Sequence, residues 1–440
     1  MTAPAAARNA DLEAALADAR ARYAAARPRS AALHAAARQA LPGGNTRSVL
    51  FYSPFPTAML RGEGARLWDA DGRAYLDLLG EYSAGLFGHS HPRIIAAVQE
   101  VLARGINLGA VGPAEGELAR LLVARFPALE RVRFTNSGTE ANLMALAAAR
   151  AFTGRVEVMV VRGGYHGGVL SFAGGGSPVN LPMPFHLIDY NDAEAAARAI
   201  HALGERLAAV LVEPMLGAGG CIPARPDFLV ALREATRAVG ALLIFDEVMT
   251  SRHHEGGMHA RLGIIPDLLT LGKYIAGGMS CGAFGGRAEV MDLFDAHRPG
   301  ALPHAGTFNN NALSMAAGLV AMGEIFRGAA VEALFARGEA LRGRLQALCA
   351  GLPMQVSGLG SMLCVHFREG PIERPYTATP REEALRELFF LDMMEAGIYL
   401  ARRGMMTLSL PLADADIERA VAAVAEFVAL RRGLIAGEPA

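Results

Sequence analysis

From about residue 90, stretches of helical periodicity alternate with short apolar runs, and this pattern predicts an α/β fold. Amphipathic segments at 92–105 and 115–126 have the length and spacing of helices. The apolar runs between such segments are six or seven residues long, which is typical of parallel strands that helices cover on both faces. The predicted strands are RVRFTN (131–136), VEVMVV (156–161), AAVLVEP (208–214), ALLIFDE (241–247) and DLLTLG (267–272).

The two ends of the chain have a different pattern. Two apolar runs flank Asp71-Gly72 within residues 64–79, which predicts a β-hairpin after a first helix that ends before Pro28. The C-terminal part is mainly helical, and its last amphipathic helix is predicted at 414–432. We therefore expect a smaller α+β unit that is built from both ends of the chain.

This organisation predicts a large domain at residues 81–320. An N-terminal segment at 1–80 and a C-terminal part at 321–440 would together form the small domain. The polar stretch 368–383 contains three prolines and is predicted to be a loop.

Composition narrows the classes of function. The 440 residues are 52% hydrophobic and 19% charged, with a formal net charge of −1, so a basic surface for nucleic acid or anionic membrane is not expected. Four cysteines without Cys-x-x-Cys spacing argue against a disulfide framework or a zinc site and favour a reducing, cytoplasmic environment. The start of the chain mixes acidic residues with alanine and arginine, unlike a signal peptide or a membrane span.

The basic side chains are distributed unusually. Of 42 basic residues, 41 are arginine, and the single lysine, Lys273, follows the predicted strand 267–272 on a glycine-rich loop. A lysine left over by composition would more often lie on a charged, solvated surface. Apolar surroundings leave part of a lysine as free amine for Schiff-base formation, which arginine cannot perform. Lys273 is therefore predicted to be a nucleophile.

Other polar residues follow the predicted strands, where ligands bind in open α/β sheets. Ser137, Gly138 and Thr139 begin a helical run, an arrangement that suits phosphate but is also explained by simple helix capping. Tyr165 and His166 lie among glycines, where an aromatic ring could stack on a planar ligand or belong to an ordinary loop.

A carboxylate completes this set. Asp246 ends an apolar strand, where it needs a partner, either a ligand or a helix N–H or arginine of the protein. A phosphate site, a stacking ring, a carboxylate for a ring nitrogen and an amine for an aldehyde are together what pyridoxal phosphate requires. The combination therefore predicts this cofactor.

Several short motifs occur in order along the chain. They are GHSHP (88–92), NSGTEAN (136–142), GGYHGG (163–168), VEP (212–214), FDEVMT (245–250), LGKYIAGG (271–278) and GTFNNN (306–311). Together they resemble the class III (subgroup II) aminotransferases of fold type I, over roughly residues 35–430. The stretches 45–56 and 403–411 are more similar still to β-amino acid aminotransferases that act on β-phenylalanine, and glutamate-1-semialdehyde aminomutases are related.

The resemblance implies roles for the residues at the matching positions. Lys273 would carry the cofactor as a Schiff base and move a proton between the substrate carbon and the cofactor. Asp246 would pair with the pyridinium nitrogen, and the ring would lie between Val248 and Tyr165, next to His166. The residues implied for the phosphate are Ser137, Gly138 and Thr139.

The resemblance also implies a subunit partner and a substrate site. Thr307 would reach the phosphate of the neighbouring subunit, which makes a homodimer the expected unit, and Glu213 would lie near the hydroxyl side of the ring. Arg47 and Arg403 match arginines that bind substrate carboxylates, for which a planar guanidinium is suited. Arg402 adjoins Arg403 and is the alternative at that place.

The implied function is transfer of the amino group of a β-amino acid, preferably aromatic as in β-phenylalanine, to a 2-oxo acid such as 2-oxoglutarate by a ping-pong cycle. An alternative is an aminomutase that moves the amino group within glutamate-1-semialdehyde, although GTFNNN replaces the Gly-Asn-Pro run of many family members. A third interpretation is a cofactor-binding protein without turnover, against which the presence of both Lys273 and Asp246 argues.

The segment SRHHEGGMHARLG (251–263) contains three histidines and borders the predicted site. Its spacing shows no clear pattern of metal ligands, so we predict a solvated loop and no metal site. The segment could still affect substrate preference.

Overall fold

The structure of the protein is a computed structural model in which residues 11–437 are described. The first ten positions of the predicted N-terminal segment and the last three of the C-terminal part lie outside the described residues. The α-helices of this range are α1 (Leu12–Ala25), α2 (Pro28–Ala37), α3 (Pro92–Arg104), α4 (Pro113–Arg125), α5 (Gly138–Thr153), α6 (Ala193–Leu203), α7 (Pro226–Val239), α8 (Gly257–Leu262), α9 (Ala288–Met291), α10 (Ala312–Val320), α11 (Ala329–Leu348), α12 (Pro380–Glu395) and α13 (Asp414–Ala436).

The β-strands form four sheets within residues 11–437. The strands are β1 (Met59–Glu63), β2 (Arg66–Asp69), β3 (Ala74–Asp77), β4 (Arg131–Thr135), β5 (Glu157–Val161), β6 (Phe185–Ile188), β7 (Leu207–Val212), β8 (Met215–Leu216), β9 (Ile222–Pro223), β10 (Leu242–Asp246), β11 (Leu268–Gly272), β12 (Gly282–Gly286), β13 (Gln355–Leu359), β14 (Met362–His366), β15 (Ile398–Tyr399) and β16 (Met405–Thr407).

A seven-stranded sheet forms the centre of the fold, in the order β4-β12-β11-β10-β7-β5-β6. All of its strands run parallel except β12, which is antiparallel to β4 and β11. In β10, Leu243 and Phe245 belong to one buried apolar cluster, and Leu242 and Ile244 belong to another. Since α7 contributes to the first cluster and α5 to the second, helices cover both faces of the sheet. The predicted α/β fold is confirmed.

The five predicted strands are confirmed, each within two residues of its predicted ends. The predicted helices at 92–105 and 115–126 correspond to α3 and α4, and the hairpin at Asp71-Gly72 is the antiparallel pair of β2 and β3. The pattern did not predict β6 or β12.

Strand β12 escaped prediction because its sequence, GAFGG, contains three glycines, which are poor strand formers in isolation. The sheet needs them there, because the neighbouring backbones come very close. A Cβ at Gly282 would collide with the carbonyl of Ser137, and one at Gly285 would collide with the carbonyl of Arg131. The glycines of β12 therefore allow this strand to pack closely between β4 and β11.

The predicted loop 368–383 is wrong at its end, because α12 begins at Pro380. Thr379 caps this helix by accepting from the backbone N–H of Glu382, and the Glu382 side chain accepts from the N–H of Thr379. Proline is also favoured in the first turn of a helix, so the third proline of the stretch marks a helix start.

The two ends of the chain meet in the four-stranded sheet β1-β2-β3-β15. Residues Ile398 and Tyr399 pair in parallel with Leu76 and Asp77, so a C-terminal strand completes a sheet that the N-terminal segment begins. The domain boundaries at 80 and 320 stay a prediction. Within residues 11–437, none of the helices has the length and apolar character needed to cross a membrane.

Candidate active site

Asp246 lies at the carboxyl end of β10, where its side chain is buried and both of its oxygens have hydrogen-bond partners. Its Oδ2 accepts from Nδ2 of Asn142 at 2.8 Å and lies 2.8 Å from Nδ1 of His166. Its Oδ1 accepts from the backbone N–H of Val248 at 3.0 Å. Three neighbours therefore fix the orientation of this carboxylate.

The network extends behind Asp246 into the sheet. Asn142 on α5 accepts a hydrogen bond from the hydroxyl of Thr270 at 2.7 Å and donates to the carbonyl of His166 at 3.0 Å. Nε2 of His166, at the far side of the ring, is buried and has no hydrogen-bond partner among the described residues. A buried polar atom without a partner is uncommon in folded proteins and is a common feature of ligand sites.

Helix α5 begins beside the ends of the central strands. Ser137 caps it by accepting from the backbone N–H of Glu140 at 3.2 Å. The backbone of Gly138 lies directly against Gly272, the residue before Lys273, and a side chain at Gly138 would strike Val248. The hydroxyl of Thr139 lies against Gly167, which has no side chain to displace it. The amino end of a 16-residue helix thus lies, half-buried, at this edge of the sheet.

Lys273 follows β11 directly and has a positive φ of 55°, which is rare for a non-glycine residue. Its side chain is half-buried. Burial lowers the pKa of the Lys273 ammonium, while the carboxylates of Asp246 and Glu213 act in the opposite direction. The backbone strain and the lowered pKa are both typical of a functional position.

Glu213 lies after β7 and is also buried. Its two oxygens accept from the backbone N–H groups of Tyr165 and Gly217, each at 2.9 Å. Burial raises the pKa of Glu213 to about 7. Tyr165, whose backbone Glu213 holds, is 43% exposed, so its ring faces solvent at the edge of the cleft.

Two of the predicted arginines meet at one aromatic ring. The guanidinium carbon of Arg403 lies 4.9 Å from the centroid of the Tyr82 ring, and that of Arg47 lies 5.8 Å from it. Both arginines lower the pKa of Lys273 through their charge, after the larger effect of burial. Arg402 instead forms an ion pair with Glu387 at 3.2 Å.

A cavity of about 270 Å³ opens beside Arg403. The aromatic rings of Tyr165 and Tyr376 line it together with the guanidinium groups of Arg386 and Arg403. The cavity can therefore accommodate both an aromatic ring and a carboxylate.

Within residues 11–437, no hydrogen bond connects Thr307 with the other predicted site residues. Thr307 is exposed on a turn, next to Phe308, which is 56% exposed. The same turn is tied to the start of α5, because Nδ2 of Asn136 donates to Oδ1 of Asn309 at 3.0 Å.

The prediction of a solvated loop at 251–263 is wrong. His253 and His259 are completely buried, and Arg252 is 1% exposed. Nδ1 of His259 lies 2.8 Å from the buried carboxylate of Glu247, which also accepts from the backbone N–H of His259 at 2.7 Å. Histidine counts as polar in a sequence pattern, but a histidine ring with a buried partner, as His259 has in Glu247, is readily buried. Within residues 11–437, no group of three or more histidine, cysteine, aspartate or glutamate side chains could hold a metal ion.

Sequence reasoning overlooked two residues of this region. Asn142 is part of the motif NSGTEAN, and its place one helical turn after Gly138 was an available signal. Tyr82 had no such signal, because it reaches the arginines through a backbone turn with positive φ values.

The residues at this edge fit pyridoxal phosphate. The start of α5 suits the phosphate, the oriented carboxylate of Asp246 suits a ring nitrogen, and the amine of Lys273 suits the aldehyde. These groups converge at the carboxyl ends of β10 and β11, where the topology of an α/β sheet places a ligand.

Comparisons with known proteins agree with this site. The model of the family "Aminotransferase class-III" matches residues 51–426. The chain is 54% identical over 422 residues to the β-phenylalanine transaminase of Variovorax paradoxus, covering 96% of this chain and 97% of that protein. It is 40% identical over 433 residues to a glutamate-1-semialdehyde 2,1-aminomutase of Thermomicrobium roseum, covering 91% and 98%.

Solved structures give the same answer. The crystal structure of a β-phenylalanine aminotransferase from Variovorax paradoxus matches with a TM-score of 0.94 at 53% identity, covering 96% of this chain and 99% of that one. An ω-transaminase from Sphaerobacter thermophilus matches with a TM-score of 0.87 at 38% identity, covering 92% and 98%. The chain therefore belongs to the class-III aminotransferases and is a pyridoxal-phosphate-dependent enzyme of fold type I.

Proposed function

We propose that this aminotransferase moves the amino group of a β-amino acid to a 2-oxo acid, with an aromatic donor such as β-phenylalanine and an acceptor such as 2-oxoglutarate. The observation that carries the proposal is the placement of Arg47 and Arg403 over the Tyr82 ring, close enough for both charges to act on Lys273. The similarity to the β-phenylalanine transaminase of Variovorax paradoxus supports the same substrate class.

The chain supplies a nucleophile and a proton carrier. Pyridoxal phosphate, when bound, supplies an aldehyde that takes up the amino group and a ring that withdraws electrons from the reacting carbon. The lowered pKa of Lys273 leaves part of the side chain as free amine, which would hold the cofactor at its aldehyde and could carry a proton. Asp246, oriented by Asn142 and His166, would face the ring nitrogen and favour its protonated form, which supports the withdrawal of electrons by the ring.

The substrate carboxylate is assigned to the arginine pair. Arg47 and Arg403 carry charges that an aromatic β-amino acid and a 2-oxo acid can each satisfy in turn, as a ping-pong cycle requires. Arg47 is ion-paired with Glu81, so a substrate carboxylate competes with Glu81 for this guanidinium. The phenyl ring of the donor fits the cavity between Tyr165 and Tyr376.

The working unit is proposed to be a homodimer. Ser137, Gly138 and Thr139 hold the cofactor phosphate through the start of α5. Thr307 lies exposed on its turn and is assigned to the phosphate of the neighbouring subunit. Sedimentation of the holoenzyme tests the homodimer. Cofactor binding to Thr307→Val, which should be weakened, tests the contact of Thr307 with the phosphate. A monomer that retains full activity would contradict them.

The function is tested by a substrate screen. Each enantiomer of β-phenylalanine is offered with pyruvate or with 2-oxoglutarate, and the amino acid product is quantified. The proposal expects turnover that depends strictly on the added acceptor. The similarity to aminomutases makes the alternative concrete: efficient conversion of glutamate-1-semialdehyde without any acceptor, and none of β-phenylalanine, would establish an aminomutase instead. A cofactor-loaded protein that turns over no amine of a broad panel would reject both.

A further inference from the structure

The turn that presents Tyr82 has an unusual backbone. Gly80, Glu81, Tyr82 and Ser83 have φ values of 51°, 49°, 53° and 81°, so four successive residues are left-handed. Only glycine adopts this region without a steric penalty, and the three other residues raise the free energy of the folded state. Such a turn persists only where the surrounding structure holds it in place.

The turn brings its side chains to the candidate substrate arginines. Glu81 forms the ion pair with Arg47, and the Tyr82 ring lies beneath the guanidinium groups of Arg47 and Arg403. The hydroxyl of Tyr82 donates to the carbonyl of Val49 at 3.1 Å, which ties the turn to the segment that carries Arg47. The position of both arginines therefore depends on the shape of this turn.

A buried arginine holds the turn from below. Nη1 of Arg252 donates to the carbonyl of Ser83 at 3.2 Å, and its Nη2 donates to the carbonyl of Leu408. Leu408 follows Thr407, whose hydroxyl donates to the carbonyl of Leu79 at 2.6 Å, just before the turn. One guanidinium thus joins the left-handed turn to the segment that leads back to Arg403.

Burial of the Arg252 guanidinium raises the free energy of the folded state. Burial lowers the pKa of Arg252 to about 10, and within residues 11–437 no carboxylate forms an ion pair with it. Its Nε is buried without a hydrogen-bond partner in the same range. A buried cation that meets only carbonyl groups stabilises a fold poorly, and an apolar side chain would often serve stability as well. The role of Arg252 is therefore to position other groups and not to stabilise the fold.

We propose that Arg252 is a positioning residue for carboxylate recognition: by clamping Ser83 and Leu408 it fixes the Tyr82 ring and, through it, Arg47 and Arg403. The proposal rests on the assignment of these two arginines to the substrate carboxylate. Arg252 lies six residues after Asp246 on the same segment. The clamp therefore also keeps the carboxylate site in register with the cofactor site.

The chain offers a matched control. Arg125 is a half-buried arginine whose donors also go to backbone carbonyls, those of Glu255 at 2.8 Å and Met322 at 3.1 Å, and burial lowers its pKa as well. It does not contact the turn at 80–83 or the segment at 408. Arg125→Met and Arg252→Met should therefore cause similar losses of thermal stability, while only Arg252→Met disturbs substrate binding.

The test measures binding to the holoenzyme and kinetics separately. Calorimetric titration uses two probes. The first is 3-phenylpropanoate, a monocarboxylate that has the ring and carboxylate of β-phenylalanine but no amine, and the second is the dicarboxylate succinate. Arg252→Met should weaken binding of both probes about tenfold or more, since small misplacements of binding groups have effects of this size. KM for the amino donor should rise by a similar factor, with kcat and the visible spectrum of the bound cofactor little changed.

A second variant covers the case in which Arg252→Met does not fold. Arg252→Lys keeps a donor for the two carbonyls but not the paired geometry, and it should lie between wild type and Arg252→Met in probe affinity. Unchanged affinity in either Arg252 variant, or a loss no larger than that of Arg125→Met, would overturn the proposal. So would a wild-type holoenzyme that binds neither probe.

The outcome separates this proposal from the proposed function. If the enzyme uses a different carboxylate-bearing donor and not β-phenylalanine, the proposed substrate is wrong. The clamp then still predicts that Arg252→Met weakens succinate binding and raises KM for that other donor. If β-phenylalanine is the donor and Arg252→Met leaves its KM unchanged, the function stands and the clamp is rejected.

Discussion

Nδ1 of His166 lies 2.8 Å from Oδ2 of Asp246, and both side chains are buried. Asn142 reaches the same oxygen from α5 at 2.8 Å. The carboxylate proposed to face the cofactor nitrogen is therefore held from two sides, and its partners should differ in importance according to what each supplies.

Asp246→Asn should remove most activity, because an amide cannot keep a proton on the ring nitrogen. We expect kcat to fall by about three orders of magnitude for Asp246→Asn and by about tenfold for His166→Phe, which leaves the Asn142 bond in place. Steady-state kinetics at matched cofactor occupancy measure both. Equal losses in the two variants would show that His166 does more than orient Asp246.

Lys273→Arg should abolish turnover while largely retaining the fold, because arginine is not a nucleophile. We expect a loss of at least about three orders of magnitude in kcat and a circular dichroism spectrum like that of wild type. Borohydride reduction of the wild-type holoenzyme, followed by peptide mass spectrometry, should place the covalent label on Lys273. A label at the N-terminal amine, or an active Lys273→Arg variant, would contradict the assignment.

The adjacent arginines 402 and 403 allow a controlled test of the substrate site. Arg403 approaches the Tyr82 ring, whereas Arg402 pairs with Glu387. Arg403→Lys should raise KM for the amino donor about tenfold, because a lysine cannot bind a carboxylate through two parallel bonds. Arg402→Lys should leave KM nearly unchanged. The reverse order of effects would assign the carboxylate to Arg402.

Glu213 should make the stability of the cofactor-free protein depend on pH. Burial raises its pKa from 4.5 to about 7, so between these values the folded protein binds a proton that the unfolded chain has released. The associated stability is complete below about pH 4.5 and is lost as the pH rises through about 7, on the order of 3 kcal/mol. The glutamine of Glu213→Gln stays neutral at every pH. The free energy of unfolding of this variant, measured in urea and compared with wild type, should therefore be more favourable at about pH 8 than at about pH 5. A difference that does not change with pH would exclude the shift.

His253 should have the opposite dependence. Burial lowers its pKa to about 3, and both ring nitrogens lack hydrogen-bond partners among residues 11–437. The folded protein resists protonation, so stability falls as the pH drops below the ordinary histidine value of about 6.5. His253→Leu removes the unsatisfied ring and should stabilise the protein by about 1 to 3 kcal/mol at neutral pH and by more in acid. Urea unfolding at about pH 5 and pH 7 measures this, and destabilisation at both would contradict it.

The pattern of apolar runs was sufficient to place Asp246 and Lys273 at one edge of the sheet. Asp246 ends one strand and Lys273 follows the next, both strands are buried throughout, and such runs are hard to mistake for loops. The start of α5 was predictable for a similar reason, because small capping residues precede a long helical run. These features depend on local sequence alone.

Other features depend on contacts between distant segments. The left-handed turn at Tyr82 is held by Arg252 and Thr407, which are far away in the chain, so no local signal marks it. His253 packs against Phe335 of α11, and His259 pairs with Glu247. These contacts bury both histidines, and because the local sequence does not show them, the segment was predicted to be solvated. Strand β12 is glycine-rich because its neighbours are close, and that closeness is visible only in the folded sheet.

The pairing of β15 with β3 brings the two ends of the chain together beside the site, so different parts of the site come from different parts of the chain. The candidate cofactor residues from Ser137 to Lys273 come from the middle of the chain, whereas Arg47 and Arg403 come from segments near its two ends. Substitutions near the ends can thus change which substrate is accepted while the reacting centre stays intact. For an engineer, or for natural selection, new specificity in this protein would be found most readily near Arg47, Tyr82 and Arg403.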